Sequence, residues 1–120
     1  MLNSFKDLLV WQKSFDLAVA VYHATRSFPA DERFGITAEL RKTARSIAYN
    51  IAEGYKRPTK ADYLRFLGIA AGSGGELETQ LLLASRLAYL TSDQSGELLD
   101  RCYEVERMLG ALVRSLNPKP

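Results

Sequence analysis

The sequence has one cysteine, one histidine and one tryptophan in 120 residues. Cys102 has no second cysteine with which to form an internal disulfide, which agrees with a reducing compartment. His23 stands alone, with no Glu-x-x-His pair and no cysteine cluster around it, so no metal-ligand pattern is present. We therefore expect neither a metal nor another cofactor.

Long apolar runs are also missing. No stretch of about 20 residues is apolar enough to suggest a helix that spans a bilayer. The first 15 residues lack the cationic head, apolar run and small-residue cleavage site of a signal peptide. We expect a cytoplasmic protein with no membrane partner.

Composition and charge indicate one ordinary globular domain, with 47% apolar and 25% charged residues. The net charge of +2 is too small to imply a polyanionic partner. Residues 41–65, however, carry seven basic and two acidic side chains, whereas the segments before and after them are net negative. Such a local field can attract nucleic acid or an acidic protein surface.

The basic side chains of this segment are the candidate nucleic-acid contacts. Nearby tyrosines, Tyr49, Tyr55 and Tyr63, are candidate stacking partners for bases. No RNA-binding signature accompanies them, so a solvated charged face with local ion pairs is the alternative. The candidate phosphate contacts are Arg41, Lys42, Arg45, Lys56, Arg57, Lys60 and Arg65.

Four amphipathic helices separated by short breakers account for almost the whole chain, and no strand pattern competes. Short connections between long amphipathic helices imply antiparallel neighbours. The expected fold is therefore all-α: one antiparallel up-down-up-down four-helix bundle over residues 1–120. The predicted helices cover about residues 6–27, 36–53, 60–90 and 93–116.

Apolar residues spaced three and four apart predict which face of each helix points inward. The third helix is apolar on three sides, and a monomer would leave one of them in water, so we expect self-association. In the first helix the pattern selects Leu8, Trp11, Phe15, Ala18 and Tyr22. In the second it selects Ile36, Leu40, Ala44, Ile47 and Ile51.

Short motifs mark the helix ends and one weak point. Ser4 with Asp7, and Thr91 with Gln94, have the spacing of a capping box. Gly54 lies where a C-cap glycine is expected. The stretch "AAGSGGE", residues 70–76, weakens the third helix because each interior glycine costs about 1 kcal/mol relative to alanine. Close approach of a neighbouring helix is the favoured explanation, and a kink is the alternative.

A polar stripe lies beside the apolar face of the second helix. Its members are Glu39, Thr43, Ser46, Asn50 and Glu53, which fall on one side of that helix within roughly 80° of arc. Unpaired buried polar groups cost about 1–3 kcal/mol each, so the stripe must be paired or wet. We expect Ser46, Asn50, Glu53 and Glu76 to form a polar network within or between subunits, with a ligand or nucleic-acid contact, or catalysis, as less favoured alternatives.

Catalytic chemistry finds little support. Glu76 and Glu78 are two residues apart on a helix and so point in different directions. Cys102 falls in the apolar repeat of the last helix, which favours a core position. "AGSGG" lacks the Gly-Lys-Ser/Thr of a phosphate-binding loop. No nucleophile and base can be paired, and we predict that the protein is not an enzyme.

Three stretches carry a family resemblance: "LVWQKSFDLAVAVY", "SIAYNIAEGYKR" and "YLRFLGIAAGSGGELETQLLLASRLAYL". The chain, from about Phe5 to Leu116, resembles the four-helix-bundle proteins named after intervening sequences of bacterial 23S rRNA genes. The resemblance implies a non-enzymatic bundle that assembles as a ring, typically of five subunits. A related branch consists of accessory proteins of diversity-generating retroelements, which are more basic and bind nucleic acid and a reverse transcriptase.

Together these observations predict a non-catalytic homo-oligomer, and the family resemblance implies that it is a pentamer. Its basic face would bind structured RNA or DNA, or a nucleic-acid-bound protein partner. The alternative is a structural or protein-interaction scaffold with no role in nucleic-acid binding.

Overall fold

The computed structural model describes residues 2–118. Single-turn 3-10 helices at Phe5–Asp7 and Ala30–Glu32 precede the first two α-helices. Consecutive helices pack against each other, and the first also packs against the fourth, which closes the bundle. The predicted all-α, up-down four-helix architecture is confirmed. Its helices are α1 (Leu9–Thr25), α2 (Ile36–Tyr55), α3 (Lys60–Arg86) and α4 (Ser92–Leu116).

The apolar core runs along the middle of the bundle and receives side chains from all four helices. Leu17 of α1, Leu40 of α2 and Leu77 of α3 are completely buried, and Leu109 of α4 is nearly so. Each such side chain contributes about 1.5–3 kcal/mol relative to an exposed position. The predicted inward stripe of α2 is confirmed, because all five of its residues are buried.

The predicted inward face of α1 was wrong by about 100°, which is one residue of helical rotation. The buried face contains Ser14 and Thr25 among its apolar residues, whereas Phe15 of the predicted stripe is 49% exposed. The Ser14 hydroxyl donates to the Val10 carbonyl at 2.7 Å, and the Thr25 hydroxyl donates to the Val21 carbonyl at 2.8 Å. These bonds to the preceding turn let two polar residues enter the core. Phe15 and Val19 are left exposed on α1, whereas Trp11 is partly buried against the core.

The N-terminal segment is divided into two helices rather than one. Both hydrogen bonds of the predicted Ser4–Asp7 capping box are present, but they cap the 3-10 turn. Leu8 then adopts an extended conformation, and α1 begins at Leu9.

Gly54 is not the C-cap of α2, because the helix continues to Tyr55. A Cβ atom at Gly54 would lie 2.8 Å from the Phe66 Cβ and 3.1 Å from the Tyr63 Cδ1 of α3. The glycine therefore lets α2 and α3 approach closely at their connected ends.

The connection between α3 and α4 begins earlier than predicted. Helix α3 ends at Arg86, and Ala88 adopts a left-handed conformation with φ of 63°. This conformation turns the chain before Leu90, where the predicted helix ended. The predicted Thr91–Gln94 capping box is confirmed at the start of α4.

The glycine-rich stretch lies within an unbroken helix. Gly74 faces α4, where an added Cβ would lie 3.3 Å from the Glu106 Cγ. Close packing is therefore confirmed at Gly74. Gly68, Gly72 and Gly75 have no neighbouring atom within 4 Å of such a Cβ.

Candidate nucleic-acid interface

Arg41 and Arg45 lie against α1 rather than projecting freely from α2. The Arg41 Nε donates to Thr25 Oγ1 at 2.8 Å, and its guanidinium lies 4.9 Å from the centre of the Tyr22 ring. The Arg45 Nη1 donates to the Tyr22 hydroxyl at 2.7 Å. Both arginines thus join α2 to α1, which gives them a structural role in the bundle.

Lys42 follows Arg41 in the sequence and is therefore rotated by about 100° around α2, toward α3. It lines a groove of about 430 Å³ between the two helices, together with Glu39 and Glu76. Two carboxylates against one ammonium group give this groove no net positive charge. The seven basic residues therefore do not form one continuous patch.

The connected ends of α2 and α3 hold two stacked arginines. The Arg57 and Arg65 guanidiniums lie 4.7 and 4.5 Å from the centre of the Phe66 ring, within cation–π range. Arg57 also pairs with Glu53 at 2.8 Å, and Arg65 approaches Asp62 at 3.7 Å. All four charged side chains are substantially exposed, so the ion pairs are weak and open to competition by other anions.

Lys56 and Lys60 complete this cluster, which we call the basic corner: Lys56, Arg57, Lys60 and Arg65. Both lysines are exposed, and neither has a carboxylate within 4.0 Å in the described part of the chain. Four cations against the two carboxylates of Glu53 and Asp62 leave a net charge of +2. The chemistry of the corner suits a polyanion, because its lysines make no ion pair that a phosphate would first have to break.

The three candidate stacking tyrosines are separated. Tyr55 and Tyr63 pack edge to face near the basic corner, with ring centres 6.1 Å apart. Burial, with a smaller contribution from Tyr55, raises the pKa of Tyr63. Tyr49 is 65% exposed and lies in a different groove, between α1 and α2, beside Phe15 and Val19.

The polar stripe forms a small network that also includes Ser73 of α3, which the spacing along α2 does not indicate. The Ser46 and Ser73 hydroxyls are 2.9 Å apart and link α2 to α3. Asn50 donates to the Ser46 carbonyl at 2.8 Å and to its hydroxyl at 3.0 Å. Glu53 turns instead to its ion pair at the basic corner, and Glu76 is exposed in the groove beside Ser46. Ser73 could have been found from its place at the centre of the glycine-rich stretch, next to Gly74.

The α3–α4 interface contains a thiol and two carboxyls. The Cys102 Sγ is fully buried and donates to the Gly74 carbonyl at 3.5 Å. Burial, with smaller contributions from Glu106 and Glu78, raises the pKa of Cys102 to about 12. A thiol with this pKa is a poor nucleophile at neutral pH. Burial, followed by the nearby Glu78, also raises the pKa of Glu106.

Two other kinds of site find no support within residues 2–118. No group of three or more histidine, cysteine, aspartate or glutamate side chains is close enough to hold a metal ion. No helix in the same range has the length and apolar character needed to cross a membrane. His23 is exposed at the surface of α1.

Two apolar faces remain uncovered on the described chain. One lies on α1, where Phe15 and Val19 border a groove closed by Tyr49 of α2. The other lies on the outer side of α3. Its exposed side chains are Ile69, Leu83 and Leu87, each 43–50% exposed.

Comparison with known proteins identifies relatives at the level of family and fold. The family model described as "23S rRNA-intervening sequence protein" matches residues 6–111. A crystal structure from Bacteroides thetaiotaomicron VPI-5482, described as a protein of unknown function from the S23 ribosomal protein family, is 25% identical in sequence. The match has a TM-score of 0.83 and covers 91% of this chain and 98% of the other. No curated protein sequence matches the chain.

Proposed function

The chain belongs to the 23S rRNA-intervening sequence protein family, and from this premise we propose that it is a non-catalytic homo-oligomer that binds structured RNA or DNA. The basic corner is the proposed contact surface. The observation that carries the proposal is the pair of exposed lysines, Lys56 and Lys60, which stand without ion-pair partners in the described chain next to two arginines stacked on Phe66.

The chemistry of the corner favours a nucleic acid over a small ligand. Its cations lie on an open surface formed by the end of α2, the connecting turn and the first turns of α3. An extended phosphate backbone can span such a surface and displace the weak ion pairs made by Arg57 and Arg65. Guanidinium groups suit this role because they bind phosphate oxygens bidentately.

Self-association is the second part of the proposal, and two uncovered apolar faces support it. The uncovered apolar faces on α1 and α3 belong to different sides of the chain, so pairing one with the other would be heterologous. Heterologous contacts that close generate rings. We propose such a ring, and five subunits is the number that the family resemblance implies.

A ring would multiply the effect of a weakly basic corner. Each subunit would present its own copy of Lys56, Arg57, Lys60 and Arg65, and a long nucleic acid could contact several copies at once. Multivalent binding of this kind can exceed the affinity of a single site by about 10²–10⁴. A net charge of +2 per corner can then be sufficient for binding.

A scaffold without nucleic-acid binding is the second candidate. The uncovered apolar faces favour it, because they would also suit a protein partner. Glu53 and Asp62 at the corner also favour the scaffold, because their negative charges repel phosphate. If the protein does not bind nucleic acid, the next step is to identify a protein partner.

The proposal is tested by fluorescence anisotropy of labelled structured RNA and duplex DNA titrated with the purified protein at several salt concentrations. We expect saturable binding whose log affinity falls linearly with log salt concentration. Absence of binding at low salt, or binding that does not depend on salt, would contradict the proposal. Light scattering in the same buffers measures the oligomeric mass, and a monomeric mass would contradict the ring.

A further inference from the structure

A second cationic site lies away from the basic corner, in the connection between α1 and α2. A pocket of about 280 Å³ opens there, between the end of α1 and the first turns of α2. Three arginines line it: Arg26, Arg33 and Arg41. Within residues 2–118 the lining includes no carboxylate. Its volume is slightly below the range of drug-sized ligand pockets, which begins near 300 Å³, and so suits a small anionic group.

Thr37 supplies an unused hydrogen-bonding group in this pocket. The residue is only 7% exposed, yet its Oγ1 has no hydrogen-bond partner within the described chain. Buried hydroxyls are normally bonded, because leaving one unsatisfied costs stability. A ligand with acceptor oxygens in the pocket would satisfy the Thr37 hydroxyl.

The start of α2 adds a favourable dipole. Gly35 at the N-cap provides no side-chain hydrogen bond, and Thr37 lies in the first turn. The positive dipole end of a helix attracts anions, and the Glu32 carboxylate at the Ile36 N–H already uses part of this attraction. The connection also holds two acids, Asp31 and Glu32. One oxygen of Glu32 accepts from the Tyr89 hydroxyl at 2.9 Å, and the other accepts from the Ile36 N–H, with 3.5 Å between the nitrogen and the oxygen.

The arginines differ in how firmly they are held. Arg41 is oriented by its bond to Thr25 and provides a fixed edge of the pocket. Arg33 is exposed and lies 4.7 Å from the ring centre of Phe34, which is itself 85% exposed. Guanidiniums around a hydroxyl and a helix N-terminus match the several oxygens of a phosphate group.

We propose that this pocket binds a phosphate group, carried either by a small molecule or by the end of a nucleic-acid strand. The site is separate from the basic corner and does not depend on it, because its cationic residues come from the α1–α2 connection and the flanking turns. Phosphate binding at the pocket is therefore independent of nucleic-acid binding at the basic corner.

Inorganic phosphate is the first probe, titrated by calorimetry into wild type and into R33Q and T37V at constant ionic strength set with chloride. We expect saturable binding to wild type, and affinity at least roughly tenfold weaker in each variant, as for lost bonds to a charged group. T37V should keep or increase its melting temperature without phosphate, since it removes an unsatisfied hydroxyl. R107Q is the matched control, because Arg107 is exposed on α4 and away from this lining.

The source of the phosphate is resolved by comparing 5′-phosphorylated and 5′-hydroxyl versions of one short oligonucleotide. Tighter binding of the phosphorylated strand, lost in T37V, would assign a strand end. Equal binding of the two strands together with saturable inorganic phosphate would assign a small molecule. The proposal is overturned if inorganic phosphate does not saturate wild type, or if R33Q and T37V bind it as well as R107Q does.

Discussion

Charged side chains between the helices and those at the basic corner differ in what they contact. Arg41 and Arg45 each find a defined partner on α1, at 2.8 and 2.7 Å. Lys56 and Lys60, in the same basic segment of the sequence, are exposed and have no carboxylate partner within residues 2–118. Charge counted along a sequence therefore combines two roles. We expect interhelical charges to determine stability and corner charges to determine binding.

The largest effect is expected on removing an interhelical arginine. Arg41→Ala deletes a charge-assisted bond to the buried Thr25 hydroxyl and the stacking on Tyr22. We expect the free energy of unfolding to fall by about 1.5–3 kcal/mol, measured by urea denaturation. Lys60→Ala is the matched control and should change it by less than about 0.5 kcal/mol. Equal losses in the two variants would remove the distinction between the two groups.

Reversing the two corner lysines should have the opposite profile. K56E/K60E is expected to weaken RNA binding at least roughly tenfold, because two phosphate contacts become repulsive. Its unfolding free energy should change little, since both side chains are exposed. The control R86E/R107E changes the net charge by the same amount at exposed positions on α3 and α4. If the control weakens binding equally, total charge rather than the corner explains the affinity.

Glu106, a half-buried carboxyl between α3 and α4, tests the interhelical charges through the pH dependence of stability. Burial and the nearby Glu78 raise the pKa of Glu106, so the folded chain holds this proton more tightly than the unfolded chain. The free energy of unfolding therefore increases as the pH falls from the pKa of Glu106 in the folded chain to its pKa in the unfolded chain. Above the folded-state pKa the ionised Glu106 destabilises the folded chain. Glu106→Gln should raise the unfolding free energy at pH 7 by roughly 0.2–1 kcal/mol, the size expected for a solvent-screened charge pair.

Urea denaturation of wild type and Glu106→Gln between pH 4 and pH 8 provides the measurement. The difference in stability between them should shrink as the pH falls. A difference that grows at low pH would mean that the Glu106 carboxylate is stabilised by the fold.

The smallest effect concerns an acid within the corner. Glu53→Gln removes the exposed partner of Arg57 and should change stability by less than about 0.5 kcal/mol. The freed guanidinium should strengthen RNA binding about two- to threefold at low salt, measured by anisotropy. Glu97→Gln, which breaks a similar exposed pair with Arg101 on α4, is the control and should leave binding unchanged. Weaker binding by Glu53→Gln would indicate that Glu53 positions Arg57 rather than competing with phosphate.

The fold could be predicted where apolar spacing is uninterrupted. The stripe of α2 and the Thr91–Gln94 cap were predictable because both depend on local spacing. The inward face of α1 could not be found in this way, since Ser14 and Thr25 satisfy their hydroxyls on the backbone and enter the core. The role of Gly54 depends on the approach of α3, which no local pattern records.

The candidate sites were predictable only in part. The sequence concentrates basic residues in one segment, but the partners of Arg41 and Arg45 come from α1 and are set by tertiary packing. The pocket in the α1–α2 connection was missed because Arg26 and Arg33 lie in a segment that is net negative as a whole. Thr37 carries no signal in the sequence, since its unpaired hydroxyl is a property of the folded surroundings.

The central claim is that the basic corner makes phosphate contacts, and the salt dependence of binding tests it most directly. The measurement is the slope of log affinity against log salt concentration on duplex DNA for wild type, K56E/K60E and R86E/R107E. Each lost phosphate contact should reduce the slope by about 0.9, so we predict a reduction of about 1.8 per subunit in contact for K56E/K60E and none for R86E/R107E. Equal slopes for all three proteins would contradict the account.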